Sequence, residues 1–232
     1  MFHPLEHPLE RGWVGRIDGD RVIQLAAQTL QSLFTGGGSA REHAEYPLAG
    51  VCFLAPVLHP PAVRVFEDQT AFAFANPAAI VGPGVDVVKP RESPSNSLLR
   101  GRLTLVARAA GVIGADGALA GFTALADWRD PTRTPPKDRD FALGLGPVVV
   151  TPDELDPNGL EAIVRVDGSE IARSTFRRFD WEAARGCAEA GTTLISGDLI
   201  AGPPALAEEI PRGSVAELEL VGIGALEQVL SD

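Results

Sequence analysis

The sequence has little of what marks several functional classes. It holds two cysteines, Cys52 and Cys187, far apart and without metal-type spacing. Neither a disulfide framework nor a thiolate metal site follows from them, and two buried thiols in a reducing compartment are expected. No apolar run reaches the ~18 residues a membrane span needs. Met1 to Glu10 carries His, Pro and Glu where a signal peptide would carry basic residues and then an apolar stretch. No membrane partner is expected, and the cytoplasm is the expected location. Positive charge is short too, with a formal net charge of −11. That field repels a phosphate backbone, so nucleic acid is not an expected partner. An anionic substrate would need a local basic pocket, which turns attention to the arginines and lysines. No internal repeat or low-complexity tract is present.

What is there suits one sizeable domain with a small appendage: 232 residues, 45% hydrophobic and 22% charged. Trp13, Val14 and Ile17, the turn Asp18-Gly19-Asp20, and Arg21 to Leu25 read as a hairpin. Ala26 to Leu33 has helical spacing and ends at Gly36-Gly37-Gly38. A further segment runs from Glu42 to Ala49, and Pro56 with Pro60-Pro61 reads as a linker. This predicts a small N-terminal subdomain over 1–55 and a larger, strand-rich domain over 56–232. In the latter, strands are expected at Ala71–Ala75, on both sides of Gly82-Pro83-Gly84, at Leu103–Ala107 and at Val148–Val150. Ala162–Val166 turns at Asp167-Gly168, and the last two strands are Val215–Val221 and Leu226–Leu230. Phe179 to Ala190 is the clearest helix, with Asp180 as N-cap and Ala183, Ala184 and Cys187 on one face. The fold class is α+β, with a curled, mostly β core.

From about residue 56 the motifs follow one order. They are Ala78-Ala79-Ile80-Val81-Gly82-Pro83-Gly84, Gly146 to Leu155 (GPVVVTPDEL), Val166-Asp167-Gly168, Ser196-Gly197-Asp198-Leu199-Ile200 and Glu219-Leu220-Val221-Gly222-Ile223-Gly224. Together they resemble the fumarylacetoacetate hydrolase family, and Trp13-Val14-Gly15 through Asp20-Arg21-Val22 is similar to the small domain that precedes the core in bacterial members. The resemblance implies a mixed β-roll with flanking helices, usually a homodimer. It implies cleavage, decarboxylation or tautomerisation of β-diketo or 2-oxo acids, with Mg²⁺ or Mn²⁺ held by carboxylates to stabilise an enolate.

The resemblance also implies that most of the metal site is missing. The first ligand, an aspartate, corresponds to Val65 in Val63-Arg64-Val65-Phe66-Glu67. The segment with a catalytic histidine is absent between Phe66 and Phe72, and His3, His7, His43 and His59 all lie elsewhere. The Glu-x-Glu pair corresponds to Arg100-Gly101-Arg102. Asp127, in Ala126-Asp127-Trp128, survives. Lys137, in Lys137 to Ala142 (KDRDFA), matches a lysine that contacts substrate oxygens, and Gly202-Pro203-Pro204 replaces a Gly-Thr that grips substrate. No metal is therefore expected. The candidate catalytic residues are Lys137 and Asp127, and the candidate substrate-binding residues are Arg100, Arg102 and Lys137. A small carbonyl or carboxylate substrate would be held by guanidiniums.

Three readings stay open. One is a metal-free lyase, tautomerase or cyclase, with a place in secondary metabolism. Another is a conventional hydrolase, decarboxylase or isomerase that uses Mg²⁺ or Mn²⁺, with Glu67, Asp68 and Glu92 able to rebuild a carboxylate site. The third is a non-catalytic binding or scaffold dimer whose arginines are neutralised by Asp127. Trp128 and Trp181 are expected in the core.

Overall fold

The computed structural model describes residues 1–88 and 102–231. The chain opens with β1 (Phe2–Pro4), β2 (Gly15–Asp18), β3 (Arg21–Ala26), α1 (Leu30–Phe34), β4 (Ser39–Pro47) and β5 (Val51–Phe53). Strands β2, β3 and β4 form one small antiparallel sheet, and β1 pairs with β5. Gly19 makes the β2–β3 turn at φ 62°, a conformation that costs glycine little. α1 is shorter than its spacing predicts. Residues through Ala26 stay in β3, and Thr29 sets the start by a reciprocal capping box with Ser32, at 3.0 and 3.1 Å. Met1, Ile23 and Leu30 form a local apolar cluster that packs on Val149 of the main body.

The main body begins with β6 (Val63–Phe66) and β7 (Phe72–Ala75), then β8 (Ile80–Val81) and β9 (Val87–Val88) on either side of Gly82-Pro83-Gly84. The longest strands, β10 (Arg102–Ile113) and β11 (Leu119–Arg129), pair antiparallel, and β12 (Leu143–Val150) pairs with β11. The hairpin of β13 (Glu161–Val166) and β14 (Ser169–Thr175) turns on Asp167 and Gly168, both at positive φ. Helix α2 (Trp181–Glu189) follows, then β15 (Leu199–Ala201), β16 (Leu206–Pro211), β17 (Val215–Leu220) and β18 (Gly224–Ser231).

Among the described residues the large sheet runs β7-β6-β15-β10-β11-β12-β8, with β16 also on β10, and a second sheet runs β14-β13-β17-β18-β9. The period-2 alternation of β10 sends Leu103, Leu105 and Ala107 into a core shared with Trp128, Val164 and Leu218, which lies between the two sheets. Burying the indole of Trp128 contributes about 4–6 kcal/mol at ~25 cal/mol per Å². Its Nε1–H donates to the buried Gln228 Oε1 at 2.8 Å, so no polar atom is stranded. A Cβ at Gly144 would collide with that Gln228 carboxamide, which explains glycine there.

The mixed β-roll with few helices agrees with the α+β expectation. Helix α2 starts at its Asp180 cap, but its buried face is Trp181, Ala184 and Ala188. Ala183 is exposed, and Cys187, like Cys52, is half-buried rather than fully buried. Where the resemblance predicts a missing segment, β6 turns into β7 through residues 67–71. Asp68 Oδ1 accepts from Thr70 N, Thr70 Oγ1 and Ala71 N, and Gln69 exchanges two hydrogen bonds with the backbone of Asp180, at 2.8 and 2.9 Å. The loop is thereby fastened to the start of α2. Among the described residues no helix is long and apolar enough to cross a membrane.

Candidate functional site: an arginine cluster on a buried aspartate

Arg108 stands in the middle of β10, flanked by Ala107 and Ala109, and is fully buried. A guanidinium cannot shed its charge, so such a position is tenable only with partners on every side. Nε donates to Asp127 Oδ2 at 3.1 Å, Nη1 to the carbonyls of Phe66 and Gly202 at 2.9 Å each, and Nη2 to Glu67 Oε1 at 2.8 Å. Four of the five N–H groups are thus engaged.

Local chain chemistry makes the space. The same edge of β10 pairs with β16 up to Ala107 and with β15 from Ala110. Between them lie Pro203 and Pro204, which have no N–H to donate, so the ladder opens beside Arg108. Gly202 turns its carbonyl to Arg108 at the place where the resemblance puts a substrate grip.

Asp127, on β11, is fully buried. Its Oδ2 also accepts from Arg129 Nη2 at 2.9 Å and Nε at 3.3 Å, whereas Oδ1 has no hydrogen-bond partner among the described residues. Glu67 closes the cluster from the solvent side, with 53% of its side chain exposed. Its Oε1 accepts from Arg129 Nη2 at 3.0 Å as well as from Arg108, and lies 3.5 Å from Arg139 Nη1. Burial alone would raise the Glu67 carboxyl, but the guanidiniums of Arg108 and Arg129 outweigh it and hold the group below the ordinary glutamate value. For Arg129, burial disfavours the cation, and Asp127 and Glu67 more than restore it. Arg139 also has Asp138 at 3.9 Å. Three guanidiniums therefore converge on Asp127 and Glu67, and with Asp138 beside Arg139 the cluster is formally +3 against −3.

The strand register corrects the placement of the Glu-x-Glu pair. Asp127 lies opposite Val106, and Arg108 is the next residue on that face. Two ligands spaced i, i+2 and able to reach Asp127 would stand at Val106 and Arg108. Arg102 lies roughly 13 Å back along β10, at about 3.3 Å per residue. It is exposed, and it pairs with Glu209 at 3.3 Å. Arg100 and Glu92 lie outside the described residues. Lys137 is 70% exposed and pairs with Asp140 on the surface loop rather than with the buried carboxylate. Asp68 is spent on its own turn. Trp128 and Trp181 are core residues.

These donors do not fit a divalent cation. A hard cation wants six or more oxygens. Here the approaches to Asp127 Oδ2 and Glu67 Oε1 are taken by guanidiniums that would repel it. Among the described residues no group of three or more His, Cys, Asp or Glu could hold a metal ion. Arg108, Arg129, Glu67 and Arg139 were not singled out as one site by sequence reasoning. The available signal was a lone arginine inside an apolar strand, which requires a partner.

The fumarylacetoacetate (FAA) hydrolase C-terminal family model matches residues 41–231. No curated protein matches the chain. Among solved structures it is similar to a fumarylacetoacetate hydrolase from the psychrophile Exiguobacterium antarcticum, with 19% identity, TM-score 0.76 and 95% of each chain covered. It is also similar to maleylpyruvate hydrolase from Sphingobium sp. SYK-6, with 21% identity, TM-score 0.73, and 96% of this chain and 98% of that one covered. That hydrolase has also been solved with manganese(II) and pyruvate. A third is 5-carboxymethyl-2-hydroxymuconate delta-isomerase from Mycobacterium smegmatis, with 22% identity, TM-score 0.75, and 95% and 94% covered. At these identities the likeness is one of fold.

Proposed function

The chain belongs to the fumarylacetoacetate hydrolase family, and on that premise we propose that it binds a small enolisable β-dicarbonyl or 2-oxo acid and promotes lyase, tautomerase or cyclase chemistry on it without a divalent cation. One observation carries this reading: Arg108 stands beside Asp127 where a metal ligand would have to stand, and Arg129 and Arg139 extend the positive charge toward solvent. Fixed guanidiniums aimed at a developing enolate oxygen stabilise it as a cation would. Asp127 keeps one buried oxygen without a hydrogen-bond donor among the described residues, and that oxygen is the candidate proton acceptor of the cluster. Lys137, two residues before Arg139 on the same loop, is the candidate for proton transfer at the solvent edge of the cluster once it leaves Asp140. The hydrolase and isomerase activities of its fold relatives suit this substrate class.

A second reading, a non-catalytic binding protein, is favoured by a specific feature: Arg108 is fully buried, and its donors are almost all satisfied by the protein itself. The two readings separate by proton exchange. Acetylpyruvate in D₂O, followed by ¹H NMR in the presence of EDTA, should lose its methylene signal faster with protein than without, and the Arg129→Gln variant should slow that loss. Exchange that EDTA abolishes and Mn²⁺ restores would return the chain to the conventional metal-dependent reading. No acceleration at all would leave the binding reading.

A further inference from the structure

The half-exposed side chain of Glu67 sits at the focus of the arginine cluster. We infer that it is an internal ligand occupying an anion subsite, and that a small carboxylate binds this protein by replacing it.

Three observations combine. Guanidiniums from β10, from the end of β11 and from the loop after it, those of Arg108, Arg129 and Arg139, meet a single oxygen, Glu67 Oε1, at 2.8, 3.0 and 3.5 Å. Such convergence is the donor set of a carboxylate site. Two of those donors are fixed independently of Glu67, because Arg108 is also held by Asp127 and two carbonyls, and Arg129 by Asp127. The subsite therefore keeps its shape when Glu67 leaves. Glu67 itself is 53% exposed and follows the last residue of β6, so rotation about its side-chain bonds carries the carboxylate into water. The backbone need not move, and it is fastened by Asp68 and by the Gln69–Asp180 exchange.

Charge counts the same way. With Glu67 in place the three arginines face three carboxylates, those of Glu67, Asp127 and Asp138, and with Glu67 out they face two. The vacated position calls for one anion. The ligand class is a small monocarboxylate, or the carboxylate end of a 2-oxo acid. This deepens the proposed function, since it assigns the substrate's carboxylate to the Glu67 position, but it does not depend on turnover.

The test is chemical rescue. Full-length Glu67→Ala is titrated with formate, acetate and pyruvate by calorimetry and thermal shift, with chloride at matched ionic strength as control. The expected result is saturable binding at least about tenfold tighter than to the unaltered chain, with stability recovered by the carboxylates and not by chloride. Equal affinity of the two proteins, or equal recovery with chloride, overturns the inference. Should Glu67→Ala fold poorly, Glu67→Gln keeps the volume and removes the charge. It should still bind acetate more tightly than the unaltered chain, and failure to do so is equally decisive. Carboxylate rescue without acetylpyruvate exchange would sink the enzymatic reading and leave this inference standing. Exchange without rescue would do the reverse.

Discussion

Two buried arginine–aspartate pairs lie in the same sheet, and they differ in how their charges are closed. Arg64 Nη1 meets Asp198 Oδ2 at 2.9 Å, with both side chains buried. Asp198 also accepts from Ile195 N, and the Arg64 guanidinium lies 5.9 and 5.5 Å from the ring centres of Phe72 and Phe74. One cation meets one anion under aromatic rings, and the pair locks β6 to the turn that precedes β15. Around Arg108 and Asp127 the pair is not closed. Two more guanidiniums approach, and the balancing carboxylate, Glu67, stands half in water. A balanced buried pair holds a fold together. A buried pair whose balancing carboxylate stands in water has capacity for a ligand.

Breaking the balanced pair should cost the most. Asp198→Ala strands the buried Arg64 cation and is expected to lower unfolding free energy by about 3–5 kcal/mol in urea titrations. Arg108→Met should cost less, about 2–3 kcal/mol, because Arg129 continues to neutralise Asp127. A loss equal to that of Asp198→Ala would mean the two pairs are energetically alike and the contrast false. Arg129→Gln, which leaves Asp127 paired with Arg108 alone, should cost about 1–2 kcal/mol yet slow any acetylpyruvate exchange roughly 10²-fold. Unchanged exchange would remove Arg129 from the site.

The smallest effect is a pH dependence. The folded state holds the Glu67 carboxyl below its unfolded value. Its contribution is therefore full above the ordinary glutamate range and is lost as pH falls through the depressed folded value. Half-exposure keeps this to a few tenths of a kcal/mol. Comparing the acid limb of stability in Glu67→Gln with that of the unaltered chain should show a shallower slope in the variant, and identical limbs would count against the coupling.

The α+β roll was legible because its signals are local. Asp18-Gly19-Asp20, Gly82-Pro83-Gly84 and Asp167-Gly168 each demand a turn, and each makes one. Asp180 caps α2 as its position predicts. The site was less legible because it depends on register. An Arg-x-Arg before an apolar strand matched the Glu-x-Glu pattern at Arg100 and Arg102, while the pairing of β10 with β11 brings Val106 and Arg108 to Asp127. Register over a long hairpin is set by its turn and by the bulge near Val112, neither of which a local motif encodes. Glu67 belongs to the cluster only because Phe66 ends β6 beside Arg108, a contact across distant parts of the chain.

The short, fastened loop of residues 67–71 also sets a clock. Enzymes that cover a substrate with a moving segment wait microseconds to milliseconds for it. Here the segment is pinned to α2 and the part that gives way is the Glu67 side chain, a rotamer change and not a loop movement. Ligand traffic would then be governed by diffusion to the cluster, with electrolyte acting on arrival and not on a gating step.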